Sequence, residues 1–226
     1  MACNAQQGWD MRKACRLTLV WLLATFMGCA AAGQLVVKLD DGSGKPVADA
    51  VVTLRPVTGQ IAVPAAAPVR RIVDQRKQMF MPYLQVFRPG DEVLFRNSDR
   101  TRHHVYSFSS ARILEFVLAP GQSSPPLRLD RAGAIAVGCN IHDQMIAYLY
   151  VTDAPRVAQT GASGSVVFEG LPAGDYDVHV WQPRLRPGKP EPEQTVSLGA
   201  VAKSITLTLM LLPDPRQRAD REHVHY

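Results

Sequence analysis

At 226 residues the chain has room for one large or two small domains. Its 46% hydrophobic and 20% charged residues are enough to build a buried core, which excludes an intrinsically disordered polymer. The net charge of +5 is mild and no basic–aromatic stacking pattern accompanies it, so nucleic acid is not an expected partner.

Residues 1–32 read as a signal peptide outside the fold. Met11-Arg12-Lys13 with Arg16 forms a positive n-region, Leu17 to Phe26 an apolar h-region, and Ala30-Ala31-Ala32 an A-x-A-like cleavage signal. The apolar run is short for a stable membrane span. Cleavage before Gly33 and a periplasmic, exported protein are therefore expected. A lipid on Cys29 or an uncleaved N-terminal tether is the alternative. Cleavage leaves 22 Lys and Arg against 19 Asp and Glu, a net charge of +3. It also removes Cys3, Cys15 and Cys29, so Cys139 remains as a lone thiol without an internal disulfide partner.

Seventeen prolines, 16 glycines and many short Val-rich runs favour an all-β protein. Residues 33–62 read as two strands, Leu35 to Leu39 and Ala50 to Leu54, joined as a hairpin by the polar turn Asp40 to Pro46. Thr58 to Pro68, rich in Ala and Pro, reads as a crossing segment. In residues 70–153, Leu84, Val86, Val93, Phe95, Val105, Tyr106 and Phe108 are candidate core positions. Residues 158–212 carry the strands Gly164 to Leu171 and Asp175 to Trp181, with His179 facing solvent. Val196, Leu198, Ile205, Leu207 and Leu209 then suggest a final hairpin. Residues 213–226 read as a flexible charged tail in which His223 and His225 are solvated. The expected arrangement is one sandwich, built from 33–62 and 158–212, interrupted by the unit at 70–153. Two sequential domains are the other possibility.

The chemistry concentrates in Gly138-Cys139-Asn140-Ile141-His142-Asp143-Gln144-Met145. Apolar runs on both sides make this a loop between buried strands. A lone cysteine is ordinarily a buried, inert one. Here an imidazole and a thioether stand beside it at ligand spacing, a donor set that suits copper. Zinc fits less well, because methionine is not a usual zinc ligand. A second histidine is offered by Asn97 to Val105, as His103 or His104; on a strand these two point to opposite faces.

The spacing Cys-x2-His-x2-Met is similar to the ligand loop of amicyanin-type cupredoxins. Upstream, Phe80, Pro82, Gly90-Asp91, Val93-Leu94-Phe95, Asn97 and His103 follow in the same order as in that family. The resemblance implies a Greek-key β-sandwich of the cupredoxin type holding one type 1 copper ion through His103, Cys139, His142 and Met145. It also implies single-electron transfer through the exposed edge of His142. The flanking halves resemble carboxypeptidase-regulatory-like modules, which implies a small Ig/transthyretin-like β-sandwich. Exported proteins combining these parts resemble methylamine-utilisation proteins, and the expected partner is a redox protein, such as a donor dehydrogenase or a cytochrome-type acceptor. No arrangement of nucleophile, base and oxyanion donors is evident, so an enzyme is not expected. The alternative function is a non-redox periplasmic module that binds or delivers copper, or binds another macromolecule.

Overall fold

Alternation at period two shapes the strands. In β1 (Gly33–Asp41), Leu35, Val37 and Leu39 are buried while the residues between them are more open. The computed structural model describes Met1, residues 33–61 and residues 66–218. Over the strands it describes, the protein is all-β and arranged as β-sandwiches. Residues 2–32, where the leader with Cys3, Cys15 and Cys29 is expected, and residues 219–226, with His223 and His225 of the expected tail, lie outside the described residues. Among the described residues no helix is long and apolar enough to cross a membrane.

After β1 come β2 (Val51–Pro56), β3 (Arg70–Arg76), β4 (Met79–Met81), β5 (Leu84–Phe87) and β6 (Glu92–Asn97). Next are β7 (His103–Ser109), β8 (Arg112–Leu118), β9 (Leu127–Arg128), β10 (Gly133–Cys139) and β11 (Ile146–Val151). The chain ends with β12 (Arg156–Gln159), β13 (Ser165–Leu171), β14 (Gly174–Trp181), β15 (Glu193–Leu198) and β16 (Lys203–Leu209). One pair of sheets has the orders β13-β1-β16 and β12-β2-β14-β15 and encloses a core that includes Leu35, Val52, Leu54, Phe168, Val178 and Val196. The other pair, β4-β3-β6-β9 and β5-β11-β10-β7-β8, encloses Val73, Phe95, Val105, Ile135, Cys139, Met145 and Leu149. Each fully buried large side chain of this kind contributes roughly 1.5–3 kcal/mol of hydrophobic stabilisation.

Two hairpins expected from the sequence are not formed. β1 pairs with β13 and β16, whereas β2 pairs with β12 and β14, so the turn after β1 carries the chain to the facing sheet. Likewise β15 pairs with β14 and β16 runs parallel to β1. Alternation tells a strand which face to bury, and both sheets of a sandwich bury the same kind of face. Phe108, a candidate core residue, is 81% exposed. The inward face of β7 is His103, Val105 and Ser107, which turns Tyr106 and Phe108 outward.

The two sandwiches meet at Val51, Leu84 and Trp181, with Tyr83, Val86, Tyr148, Tyr150 and Val157 packed around them. Tyr150 stacks on Trp181 with ring centroids 4.9 Å apart, and Tyr148 meets the same indole edge-on at 5.8 Å. At this junction the start of the supposed tail is ordered. Pro215–Arg218 forms a 3₁₀ turn, and the Arg216 guanidinium lies 3.8 Å from the Tyr83 ring centroid. Arg216 also pairs with Asp214 at 2.7 Å and with Asp49 at 3.0 Å. Charge-rich composition suggests a solvated segment. A cation–π contact and two carboxylates hold this one instead.

Asp214 gives this junction a pH dependence. The Arg216 side chain holds its carboxyl below the ordinary value of 3.8, against an upward push from burial. A depressed carboxylate adds stability that is complete above its unfolded value and is lost as pH falls through its folded value. Acid unfolding followed by circular dichroism should therefore show a shallower loss of stability below about pH 4 in Asp214→Asn than in the parent protein.

Candidate metal centre

The site begins with the register of β10 against β7. Gly138 faces Tyr106 and Cys139 faces Val105 in antiparallel pairing. Ile135, Val137 and Cys139 point into the core together, and Cys139 is only 5% exposed. Gly138 leaves room for the Tyr106 ring, since a Cβ there would sit 3.1 Å from it and the ring would have to give by a few tenths of an ångström. On β7, His103 points inward and is fully buried, while its neighbour His104 points outward.

The loop after β10 is closed by its own backbone. The Met145 N–H donates to the His142 carbonyl at 3.0 Å, and the Cys139 N–H donates to the Met145 carbonyl at 3.2 Å. The Asn140 N–H donates to the His104 carbonyl at 3.0 Å, which ties the loop to β7. These bonds bring His142 back over Cys139. Met145 is 1% exposed and belongs to the same core cluster as Cys139.

Three donor atoms converge. Cys139 Sγ lies 3.8 Å from His103 Nδ1 and 3.7 Å from His142 Nδ1. All three residues offer a ligand atom within 4.8 Å of the others, and the imidazole centroids are 5.0 Å apart. With metal–sulfur and metal–nitrogen bonds of about 2.3 and 2.0 Å, a trigonal ion separates sulfur from nitrogen by roughly 3.7 Å. The donor set of one thiol and two imidazoles beside a buried methionine therefore fits copper in both chemistry and spacing. Burial and the neighbouring His103 hold the His142 imidazole below its ordinary value of 6.5, with Asp99 pulling the other way, so its neutral, ligand-competent form is favoured.

Asp99 is a site residue outside the ligand set expected from the sequence. Its Oδ2 lies 3.0 Å from His103 Nε2, and its carboxylate accepts the backbone N–H groups of Lys77 and Gln78. Burial pushes this carboxyl up. The Gln78 N–H, the His103 ring and the Lys77 N–H outweigh that push and bring it below its ordinary value. Lys77 and Gln78 both have φ of 56°, in the left-handed region that costs non-glycine residues roughly 1–2 kcal/mol each. Arg76, Lys77 and Arg100 line a groove with Asp99. The signal for Asp99 is its position four residues before His103 and two after an asparagine suited to fold the intervening turn.

That asparagine is Asn97, which is fully buried. Its Nδ2 donates to the carbonyls of Thr101 and Leu118 at 2.8 and 2.9 Å, and its Oδ1 accepts the Asp99 N–H at 2.9 Å. On the outer face, His104 Nε2 lies 2.7 Å from Glu115 and its Nδ1 lies 3.5 Å from Asn140 Nδ2. His179, expected at the surface, is half-buried and pairs with Glu191 at 2.6 Å.

Replacing Asn97 with alanine removes a partner from the buried Leu118 carbonyl and from the less buried Thr101 carbonyl and Asp99 N–H. Asn97→Ala should cost about 2–3 kcal/mol in urea unfolding of the metal-free protein, since each unsatisfied buried group costs about 1–3 kcal/mol. An unchanged midpoint would mean that water replaces these bonds at no cost.

No family model matches the chain, and no curated protein matches it. Among solved structures it is similar to a reduced amicyanin variant at 19% identity and a TM-score of 0.35, over 44% of this chain and 99% of that one. It is also similar to a copper-containing nitrite reductase from Thermus scotoductus SA-01 at 22% identity and a TM-score of 0.33, over 44% of this chain and 25% of that one. The overlap with each is less than half of this chain.

Proposed function

We propose that this protein is an exported type 1 copper protein that carries single electrons between redox partners. The observation behind this reading is the convergence of buried Cys139 Sγ and His103 Nδ1 with the Nδ1 atom of half-buried His142. Copper bound there would supply a one-electron Cu(I)/Cu(II) couple.

The chain's own residues keep the donors still. Cys139 and His103 stand on paired strands, and the loop bearing His142 is pinned by backbone bonds at Cys139, Asn140 and Met145. A fixed donor set lowers the reorganisation that accompanies a change of charge. In this reading Met145, buried in the same cluster as Cys139, would be a further donor to the ion, and half-buried His142 would be the ligand nearest the surface. Burial of Cys139 and His103 favours an ion that is retained over one that is handed on. The partner is a second redox protein, and the chain itself performs no bond-making chemistry.

Cu(II) added to the mature protein should produce an intense visible charge-transfer band. Cys139→Ser should abolish it, whereas Met145→Leu should keep the colour and raise the reduction potential. Stoichiometric copper binding without that band would support the non-redox binding module instead. Export is read from residues 1–32, so N-terminal sequencing of periplasmic material should begin near Gly33; a start at Met1 or Met11 would refute cleavage.

A further inference from the structure

We propose that Asp99 is a positioning residue that grips His103 through Nε2 and fixes the imidazole in the tautomer presenting its Nδ1 lone pair to Cys139. The functional meaning of this inference rests on the copper reading, but the contact itself is independent of any metal. Two atoms of one ring are committed in opposite directions: Nε2 lies 3.0 Å from Asp99 Oδ2, and Nδ1 lies 3.8 Å from Cys139 Sγ. A carboxylate is an acceptor only, so Nε2 must carry the proton. The neutral ring then has its lone pair on Nδ1, where a metal ion can take it.

Asp99 is itself held by a built support. Arg76 and Met79 are paired across a two-residue turn whose central residues, Lys77 and Gln78, both have positive φ. Asn-Gly is the pair that such a turn prefers, and Lys-Gln is a poor substitute. Both strained residues aim their N–H groups at the Asp99 carboxylate. The Asp99 N–H is anchored to Asn97 Oδ1, so the carboxylate is fixed from both ends. Asp99 thus joins the β3–β4 turn to the buried ligand histidine.

The simpler reading is that Asp99 only caps the turn and His103 is a bystander. Asp99→Asn separates the two. An asparagine can still accept a turn N–H through Oδ1, but its Nδ2 donates, which favours the ring with a bare Nε2 and the proton on Nδ1. The test compares the mature protein with Asp99→Asn at a pH where imidazole is neutral. A second variant combines Asp99→Asn with Lys77→Asn and Gln78→Gly, so that the turn forms without the carboxylate. Nitrogen-15 shifts of the His103 ring in metal-free protein should show Nε2–H in the parent and a shift toward Nδ1–H in both variants. Cu(II) affinity, measured by competition with a chelator, should fall about 10–100-fold in both variants, the range typical of lost partners behind ligand histidines. A folded variant that keeps the parent tautomer, or keeps the parent Cu(II) affinity, overturns the inference. If the parent protein binds no Cu(II), the electron-carrier reading fails, while the ring shifts still decide the role of Asp99.

Discussion

The antiparallel pairing of β10 with β7 sets where every donor stands. With Cys139 opposite Val105, the thiol shares a face with His103, two residues from Val105 along β7. A slip of one residue would turn the whole inward set of one strand outward, presenting His104 and Tyr106 to the core. The Tyr106 ring packs closely over Gly138, a contact that favours this register because a side chain there would crowd the ring. The Asn140 N–H bond to the His104 carbonyl continues the same register into the loop. Strand pairing and ligand placement are one constraint here.

Around that register lies a layer of buried polar groups that would be expensive if unpaired. Asn97 satisfies the turn at 97–101 and the end of β8, and Asp99 satisfies the β3–β4 turn. Next to them, Asp74 receives Arg96 at 2.9 Å and the Ser98 hydroxyl at 2.7 Å. Burial pushes Asp74 up, and the Arg96 and Ser98 bonds more than offset it. Asp99 accepts backbone N–H groups of the β3–β4 turn, whereas Asp74 gathers the side chains of Arg76, Arg96 and Ser98. These pairings offset the cost of burying charge near the site and tie down the turn that leads into β7 and His103.

The junction of the two sandwiches rests on a different interaction, the packing of Trp181 against stacked Tyr150 and edge-on Tyr148. Tyr148 and Tyr150 lie on β11, the strand that follows the ligand loop, so the second sandwich braces the far side of that strand. Burial raises the pKa of both phenols, that of Tyr150 to about 12, and keeps them neutral and apolar in the contact. Arg216 over Tyr83 seals one edge of this junction.

The sequence by itself determined the all-β class, because period-two alternation, glycine and proline punctuation and Val-rich runs are local properties. It also determined that Cys139, His142 and Met145 share one loop, and that His103 and His104 face opposite ways. What it could not determine was partnership. β1 and β2, like β15 and β16, look like hairpins in sequence yet lie in facing sheets, since alternation specifies a buried face and not the neighbour. Phe108 looks like core yet lies outside it, because the phase of β7 is set by its pairing with β10 and not by its own composition. His103 as the inward ring was implied by resemblance in the sequence, whereas the approach of Asp99 to its Nε2 and the docking of Arg216 on Tyr83 were decided by tertiary structure alone. Each depends on backbone brought together from distant strands, and no local pattern encodes that approach.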